Sequence, residues 1–523
     1  TFTKLHHGSS AASIWHYLYY ALRCGDAVAG AELLRTSTST NAAVSARIQQ
    51  LAKFQGPNNT CLWESNSSES LPEATNKADL SDLLARRQNV ATPFELAVLG
   101  LLLLDKDESS ALSSVLQTIE DYVYVQLYLA GDDEQALEAL GASICDFGPS
   151  HFETSNPHQN DGGWSFAFPL LLSQQYRSAL SHLAQTGGPR GLLEATHLAI
   201  LLGSDLSKVD VGAAAADYSS CVLTSLLVEF AKQLQPVDPE AAIVYLVRIP
   251  ADARKRTELA KLLVETRQYE RLAGVVGANG QRIVPRSPPA LVKYLEGDTA
   301  QVSATLEEAG RLAKNLRETC ELFHLAERYD LLLQSINEEL ARQLEEPITS
   351  PDRKYWMDAA RTFYEEHLGT RATKDYVTAV LQQRHATGRA ETTKTLLKLM
   401  DAVDLLTKQD FKAATATLDE LGWIPSSPAD VPNKAALYQH RLAGDPVLQR
   451  VYGPVLAQAT NSLFAQWNLV KHSGMMMDVS TPVPQRLKSL QTQAQAILNL
   501  AGRVGNLNDA TIAKMTNMVA HMG

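Results

Sequence analysis

The string QQYRSALSHL at residues 174–183 recurs, loosely but recognisably, as RQYERLAGVV (267–276), ERYDLLLQSI (327–336) and QDFKAATATL (409–418). Each copy opens on polar residues, continues with an aromatic, and places small or aliphatic residues three, four or seven positions later. The sets are Tyr176, Ala179, Leu180, Leu183; Tyr269, Leu272, Ala273, Val276; Tyr329, Leu332, Leu333, Ile336; and Phe411, Ala414, Leu418. Such spacing lines one face of an α-helix. Each phrase reads as a short polar turn followed by the first two turns of the second helix in an antiparallel pair. The aromatic would pack back on the incoming helix, and the small residues would let the two helices approach. Tyr176, Tyr269, Tyr329 and Phe411 are therefore expected to be structural repeat anchors, mostly buried at helix–helix contacts. LRCGDAVAGAELL (22–34) and LAGDDEQALEAL (129–140) are looser versions without the aromatic.

One helix pair cannot bury its own apolar face, so stacking of pairs is implied. The aromatics fall at irregular intervals, which excludes a regular tetratricopeptide array of about 34 residues per repeat. The expected fold is all-α: an irregular antiparallel helix-pair solenoid, elongated and folded back on itself. It would occupy residues 1–523 as a single array, with 1–13 a ragged N-terminus.

Helix boundaries support this. Thr92, Pro93 and Glu95 form a capping-box arrangement ahead of the apolar run LAVLGLLLL (96–104). Asp238–Pro239 and Ser350–Pro351 open two more helices, and Gly502 is expected to end the one carrying Leu487, Leu490, Ala494, Ile497, Leu498 and Ala501. YVYVQLYL (122–129) has strand composition but no partner strand nearby, so it is read as helix. The stretches 58–76, 150–163, 276–289 and 475–484 are polar or Gly/Pro-punctuated and read as loops.

Chemistry is harder to find. There is no phosphate-binding G-x-x-x-x-G-K-[ST] loop and no H-E-x-x-H pair, and Gly274, Gly277 and Gly280 have the wrong spacing for a dinucleotide loop. GVVGANGQR is read as a helix C-cap and turn. His151 and His158 lie near Glu153 and Asp161 without helical spacing, a weak metal arrangement. Cys24, Cys61, Cys145, Cys221 and Cys320 are scattered and unpaired, the usage of a reducing compartment, with Cys24 expected to be a core thiol at a helix end. Met475–Met477 suit either an adaptable binding surface or a loop capping the last helices. A net charge of −11 argues against nucleic acid as the main partner. The run 96–104 is too short for a span of about 20 residues, so no transmembrane segment is expected. Neither enzymatic turnover nor any cofactor is expected.

Several stretches, in order, resemble the nucleoporin-interacting-component family, the large linker nucleoporins of the nuclear pore's inner ring. IWHYLYYALRCGD (14–26) is similar to that family's signature helix. DFGPSHF (146–152) leading to FPLLLSQQYRSALSHL, then DPEAAIVYLVRI with LAKLLVETRQYERLAG, and finally FKAATATLDELGWIPSSPADVPNKAALYQH follow the family's order. The resemblance runs from about residue 14 to about 515. It implies a J-shaped helical solenoid of the ancestral-coatomer-element type, placed in the nuclear pore complex at the nuclear envelope. Its role there is a strut needed for pore assembly and nucleocytoplasmic transport.

It also implies partners. Short linear motifs of other nucleoporins, notably a membrane-associated inner-ring linker, would bind the solenoid, in grooves sought first along Leu180–Leu201 and Leu448–Leu498. The coiled-coil channel trimer and a large inner-ring scaffold would bind through the family's N-terminal part. That part is read as absent from this sequence, which opens on Thr1. Two other readings stay open: a helical scaffold of a vesicle coat or tethering complex, and an enzyme built on paired helices.

Overall fold

The structure is a computed structural model that describes residues 11–36, 41–55, 76–87, 90–103, 115–116, 118–130, 133–152, 161–203, 215–283, 286–369, 376–442, 444–473, 482–504, 507 and 509–523. The chain divides into two compact units, residues 1–230 and 231–523. Helices in the first are α1 (Ala11–Arg23), α2 (Ala27–Arg35), α3 (Ala42–Gln55), α4 (Lys77–Arg87), α5 (Pro93–Leu103), α6 (Ile119–Ala130), α7 (Glu134–Phe147), α8 (Trp164–Leu172), α9 (Tyr176–Thr186) and α10 (Gly188–Leu202). Helix α11 (Ala215–Leu234) follows. Next come α12 (Pro239–Leu246), α13 (Asp252–Thr266), α14 (Tyr269–Ala273), strands β1 (Val275–Val276) and β2 (Arg282–Ile283), α15 (Ala290–Tyr294), α16 (Thr299–Leu312), α17 (Leu316–Leu325), α18 (Tyr329–Gln343) and α19 (Pro351–His367). The chain finishes with α20 (Tyr376–Gln383), α21 (Thr387–Thr407), α22 (Phe411–Glu420), α23 (Val431–Leu442), α24 (Pro446–Ser473), α25 (Val483–Val504) and α26 (Asp509–Met522).

Sequential helices pack on one another: α2 on α3, α9 on α10, α16 on α17, α21 on α22, α24 on α25. In the second unit the chain also returns on itself, because α24 packs against α18 and α21 as well as α22. One apolar core there runs from Phe323 to Met522. A separate core in the first unit gathers α1–α5 around Leu18, Ile48, Leu80 and Leu99. The apolar run 96–104 is buried over its described residues, and 122–129 is helical, within α6.

The recurring phrase is a turn before it is a helix. Gln174, Arg267, Glu327 and Gln409, the first residues of the four copies, all have left-handed backbone, with φ of 62°, 55°, 57° and 63°. In three of them the next amide reaches back six residues: Gln175 N–H to Leu170 O, Arg328 N–H to Phe323 O, Asp410 N–H to Leu405 O, at 2.8, 2.9 and 3.0 Å. This is the Schellman closure of a helix C-terminus. At Arg267 a single bond to Leu263 O at 3.0 Å does the same. A new helix then starts two residues later, always on the aromatic: Tyr176, Tyr269, Tyr329 and Phe411 are first residues of their helices. The looser copy at 22–34 is the same device with a glycine, Gly25 at φ 67°, and Asp26 capping Ala29 N–H at 2.8 Å. His385 at φ 54° ahead of α21 is another, without the aromatic.

Several expectations need correction. After Tyr269 the helix lasts only to Ala273; Gly274 at φ 96° ends it and Val276 lies in a strand. GVVGANGQR is thus a β-hairpin, pairing Val275 with Ile283 and Val276 with Arg282. Helix α25 runs through Gly502 to Val504, since nothing crowds that glycine and helix geometry accommodates it. Thr92 caps Glu95 N–H at 3.3 Å, but the Glu95 carboxylate turns to Arg87 at 2.7 Å instead of closing the box. Cys24 and Cys145 are exposed instead of core thiols. Cys61, His158 and Met475–Met477 lie outside the described residues.

Candidate interaction surfaces

The four anchors differ in burial. Tyr329 is 0% and Tyr269 4% exposed, while Tyr176 and Phe411 are only partly buried. Tyr329 packs back on His324 of the incoming helix, ring centroids 5.7 Å apart, and on Phe363 at 6.1 Å. Its hydroxyl donates to Gly280 O in the β-hairpin. The backbone at Gly280 has φ 80°, and a Cβ there would sit 2.5 Å from a Val377 methyl, so only glycine fits.

Glu327, the left-handed turn residue, completes the seat. Its carboxylate accepts from Arg282 N–H at 2.7 Å and from the Tyr376 hydroxyl at 2.6 Å. Burial, followed by that hydrogen bond to Glu327, pushes the Tyr376 phenol up to about 12. Burial, with a smaller contribution from neighbouring His367, pulls His324 down to about 4. Burial also lowers His367. These groups are neutral packing partners under the hairpin, and among the described residues no His, Cys, Asp and Glu group has metal-holding geometry.

A second buried polar centre is structural. Arg353 of α19 is 2% exposed. It donates to Glu346 O at 2.9 Å and Gln343 O at 3.3 Å, closing the C-terminus of α18, and to Asp404 of α21 at 2.5 Å. Orphan carbonyls at a helix end need such partners.

The apolar surface sought along Leu180–Leu201 is mostly spent on packing. Leu180, Leu183, Ala195 and Ala199 are fully buried; Leu201 stands out at 81% exposed and Phe168 of α8 at 48%. In the span Leu448–Leu498, Val451, Leu456, Leu463 and Ile497 are likewise core. One residue of that span, Arg450, instead lines an open cleft of about 510 Å³ with Leu316, Ser335, Glu338, Glu339, Ala341, Arg342 and Glu345. Sequence reading missed this cleft. Its only trace there is the acidic run of α18, whose neighbour Arg450 is more than a hundred positions away.

With fold and surfaces in place, the relatives can be weighed. The Nup93/Nic96 family pattern matches residues 4–511. The chain belongs to the Nup93/Nic96 family. Nuclear pore complex protein Nup93 of Danio rerio is 23% identical over 539 residues, covering 94% of this chain and 59% of that protein. Nucleoporin NIC96 of Chaetomium thermophilum is 23% identical over 372 residues, covering 63% of this chain and 32% of that protein. The crystal structure of the Chaetomium thermophilum Nic96 SOL aligns with a TM-score of 0.54 at 15% identity, covering 97% of this chain and 77% of that one. That likeness establishes the helical fold. The chain spans about a third to three-fifths of the length of these curated relatives. Members of the Nup93/Nic96 family bear the names of structural nucleoporins of the nuclear pore complex, a scaffold and linker role. Among the described residues, no helix is long and apolar enough to cross a membrane.

Proposed function

We propose that this chain is a scaffold and linker of the nuclear pore complex inner ring that works by receiving short linear motifs of other nucleoporins. The observation that carries this reading is the Nup93/Nic96 match over residues 4–511, on a chain folded as stacked helix pairs. Residues 1–523 act as successive stretches of one helical array, and the chemistry is mechanical: it turns over no substrate and uses no cofactor. Surface clefts between helices take one or two apolar anchors of a disordered partner, with affinity limited by the entropy of ordering that partner. A membrane-associated inner-ring linker nucleoporin supplies such motifs. The channel trimer and the large inner-ring scaffold reach the assembly through other segments of the family. Through these contacts the chain supports pore assembly and nucleocytoplasmic transport.

The test is titration of the full chain with motif peptides of the membrane-associated linker, alongside identification of proteins retained from nuclear-envelope extract. Binding tighter than about 100 μM, roughly 5–6 kcal/mol, is expected. Retention of vesicle-coat subunits in place of nucleoporins would overturn the reading.

A further inference from the structure

The cleft on α18 offers charge and apolar surface in a defined pattern. Leu316 and Ala341 give it an aliphatic floor, and Glu338 and Glu345 are exposed on its rim. Other charges around it are already matched. Arg342 forms a two-pronged pair with Glu339, at 2.9 and 2.5 Å, which holds the Glu339 carboxyl below the usual range. Arg317, next to Leu316, stacks on Tyr355 at 3.9 Å and pairs with Asp352 at 3.0 Å. Glu338 takes only a neutral amide, Gln334 Nε2 at 3.1 Å, and Glu345 pairs with no cation among the described residues. Exposed Glu346 adds a further negative charge beside the cleft. Arg450, whose guanidinium donates to the Glu338 carbonyl at 3.3 Å, is the single cation there without a carboxylate partner. The rim is therefore net acidic over an apolar floor.

We propose that this cleft binds a short peptide segment of a partner, with an aliphatic anchor on Leu316 and Ala341 and two basic residues reaching Glu338 and Glu345. The proposal rests on the motif-receiving reading above and assigns it a place and a chemistry. Seven residues of near-helical backbone separate the two carboxylates by about 10 Å. A partner matches that span with basic residues about three apart in an extended strand or two turns apart on a helix. Apolar burial supplies affinity, while the carboxylates set orientation and on-rate.

The experiment selects binders for the full chain from a random library of displayed peptides about twelve residues long. Enriched sequences should carry one aliphatic residue flanked by Lys or Arg. Their binding should fall about tenfold or more in the E338K/E345K double variant and weaken with salt. Circular dichroism and the melting temperature confirm that the variant is folded, and a milder Glu345→Gln change should give a smaller loss in the same direction. Enrichment of acidic or uncharged peptides, or equal binding to the folded double variant, overturns the cleft. If nucleoporin motif peptides bind the double variant undiminished, the cleft falls and the scaffold reading stands. If library peptides bind the cleft as described but nucleoporin motifs do not, the choice of partner falls instead.

Discussion

Tyr329 and Phe411 begin the same phrase, follow the same left-handed turn and start their helices at the same register, yet one is sealed and the other half open. The difference lies in what is laid over the turn. At Tyr329 the β-hairpin of residues 275–283 and helix α20 close the site through Gly280 and the Glu327 carboxylate. At Phe411 the cap is local, Asp410 accepting from Ala413 N–H at 3.1 Å, with Gln466 donating to the Phe411 carbonyl at 2.9 Å. A repeated phrase thus specifies how two helices join. How much the joint contributes to stability depends on segments far away in sequence.

The widest gap should appear on truncation. Tyr329→Ala empties a fully enclosed site and should cost about 3–5 kcal/mol, whereas Phe411→Ala should cost about 1–2 kcal/mol because half its surface already faces water. Thermal unfolding of the full chain, with hydrogen exchange read separately over the two turns, measures both. Equal losses would show that the covering segments add nothing to Tyr329.

The second test uses acid. His324 is buried neutral with its pKa lowered to about 4, so the unfolded chain binds the proton more readily than the folded one. Its stabilising contribution is complete above the ordinary histidine value near 6.5 and declines as pH falls from there towards 4. The loss should be on the order of 3 kcal/mol, felt first around Tyr329 and not around Phe411. His324→Leu should flatten that part of the pH dependence, and an unchanged profile would remove His324 from the seal.

The phrase was legible because side-chain spacing and polar punctuation are local properties. So were the caps at Asp238 and Ser350, and the helical character of 122–129. The left-handed turns were not legible, because Gln174, Arg267, Glu327 and Gln409 carry none of the usual glycine marking. The hairpin was hidden for another reason. Two-residue strands have no periodicity to detect, and this pair is seated by Glu327, 45 positions from Arg282. The cleft was invisible in the same way, since it exists only where α24 returns to α18 and places Arg450 at the Glu338 carbonyl. The grooves sought along Leu180–Leu201 and Leu448–Leu498 were chosen on apolar content, and apolar content mostly marked the core.

A third test separates turn from seat. Glu327→Gly relieves the left-handed backbone but deletes a carboxylate that accepts two hydrogen bonds under the hairpin. Charge-assisted bonds contribute about 1.5–3 kcal/mol each, so the exchange should be destabilising by about 2 kcal/mol after the backbone gain is subtracted. Loosened exchange of the amides in 275–283 should accompany it. If the variant is as stable as the parent, the carboxylate seat is ornamental.

Gln409→Gly is the matching change at the open turn and should act in the opposite direction. Gln409 is exposed and its side chain makes no contact that would be lost, so the only folded-state effect is relief of a left-handed backbone costing a non-glycine residue about 1–2 kcal/mol. Glycine also gains freedom in the unfolded chain, which returns about 0.5–1 kcal/mol of that advantage. A net stabilisation of about 0.5 kcal/mol should remain, visible as a small rise in the melting temperature and slower exchange at the start of α22. The sign is what matters: gain at Gln409 with loss at Glu327, from one substitution in one backbone conformation, can arise only if distant segments have recruited the second turn and left the first alone.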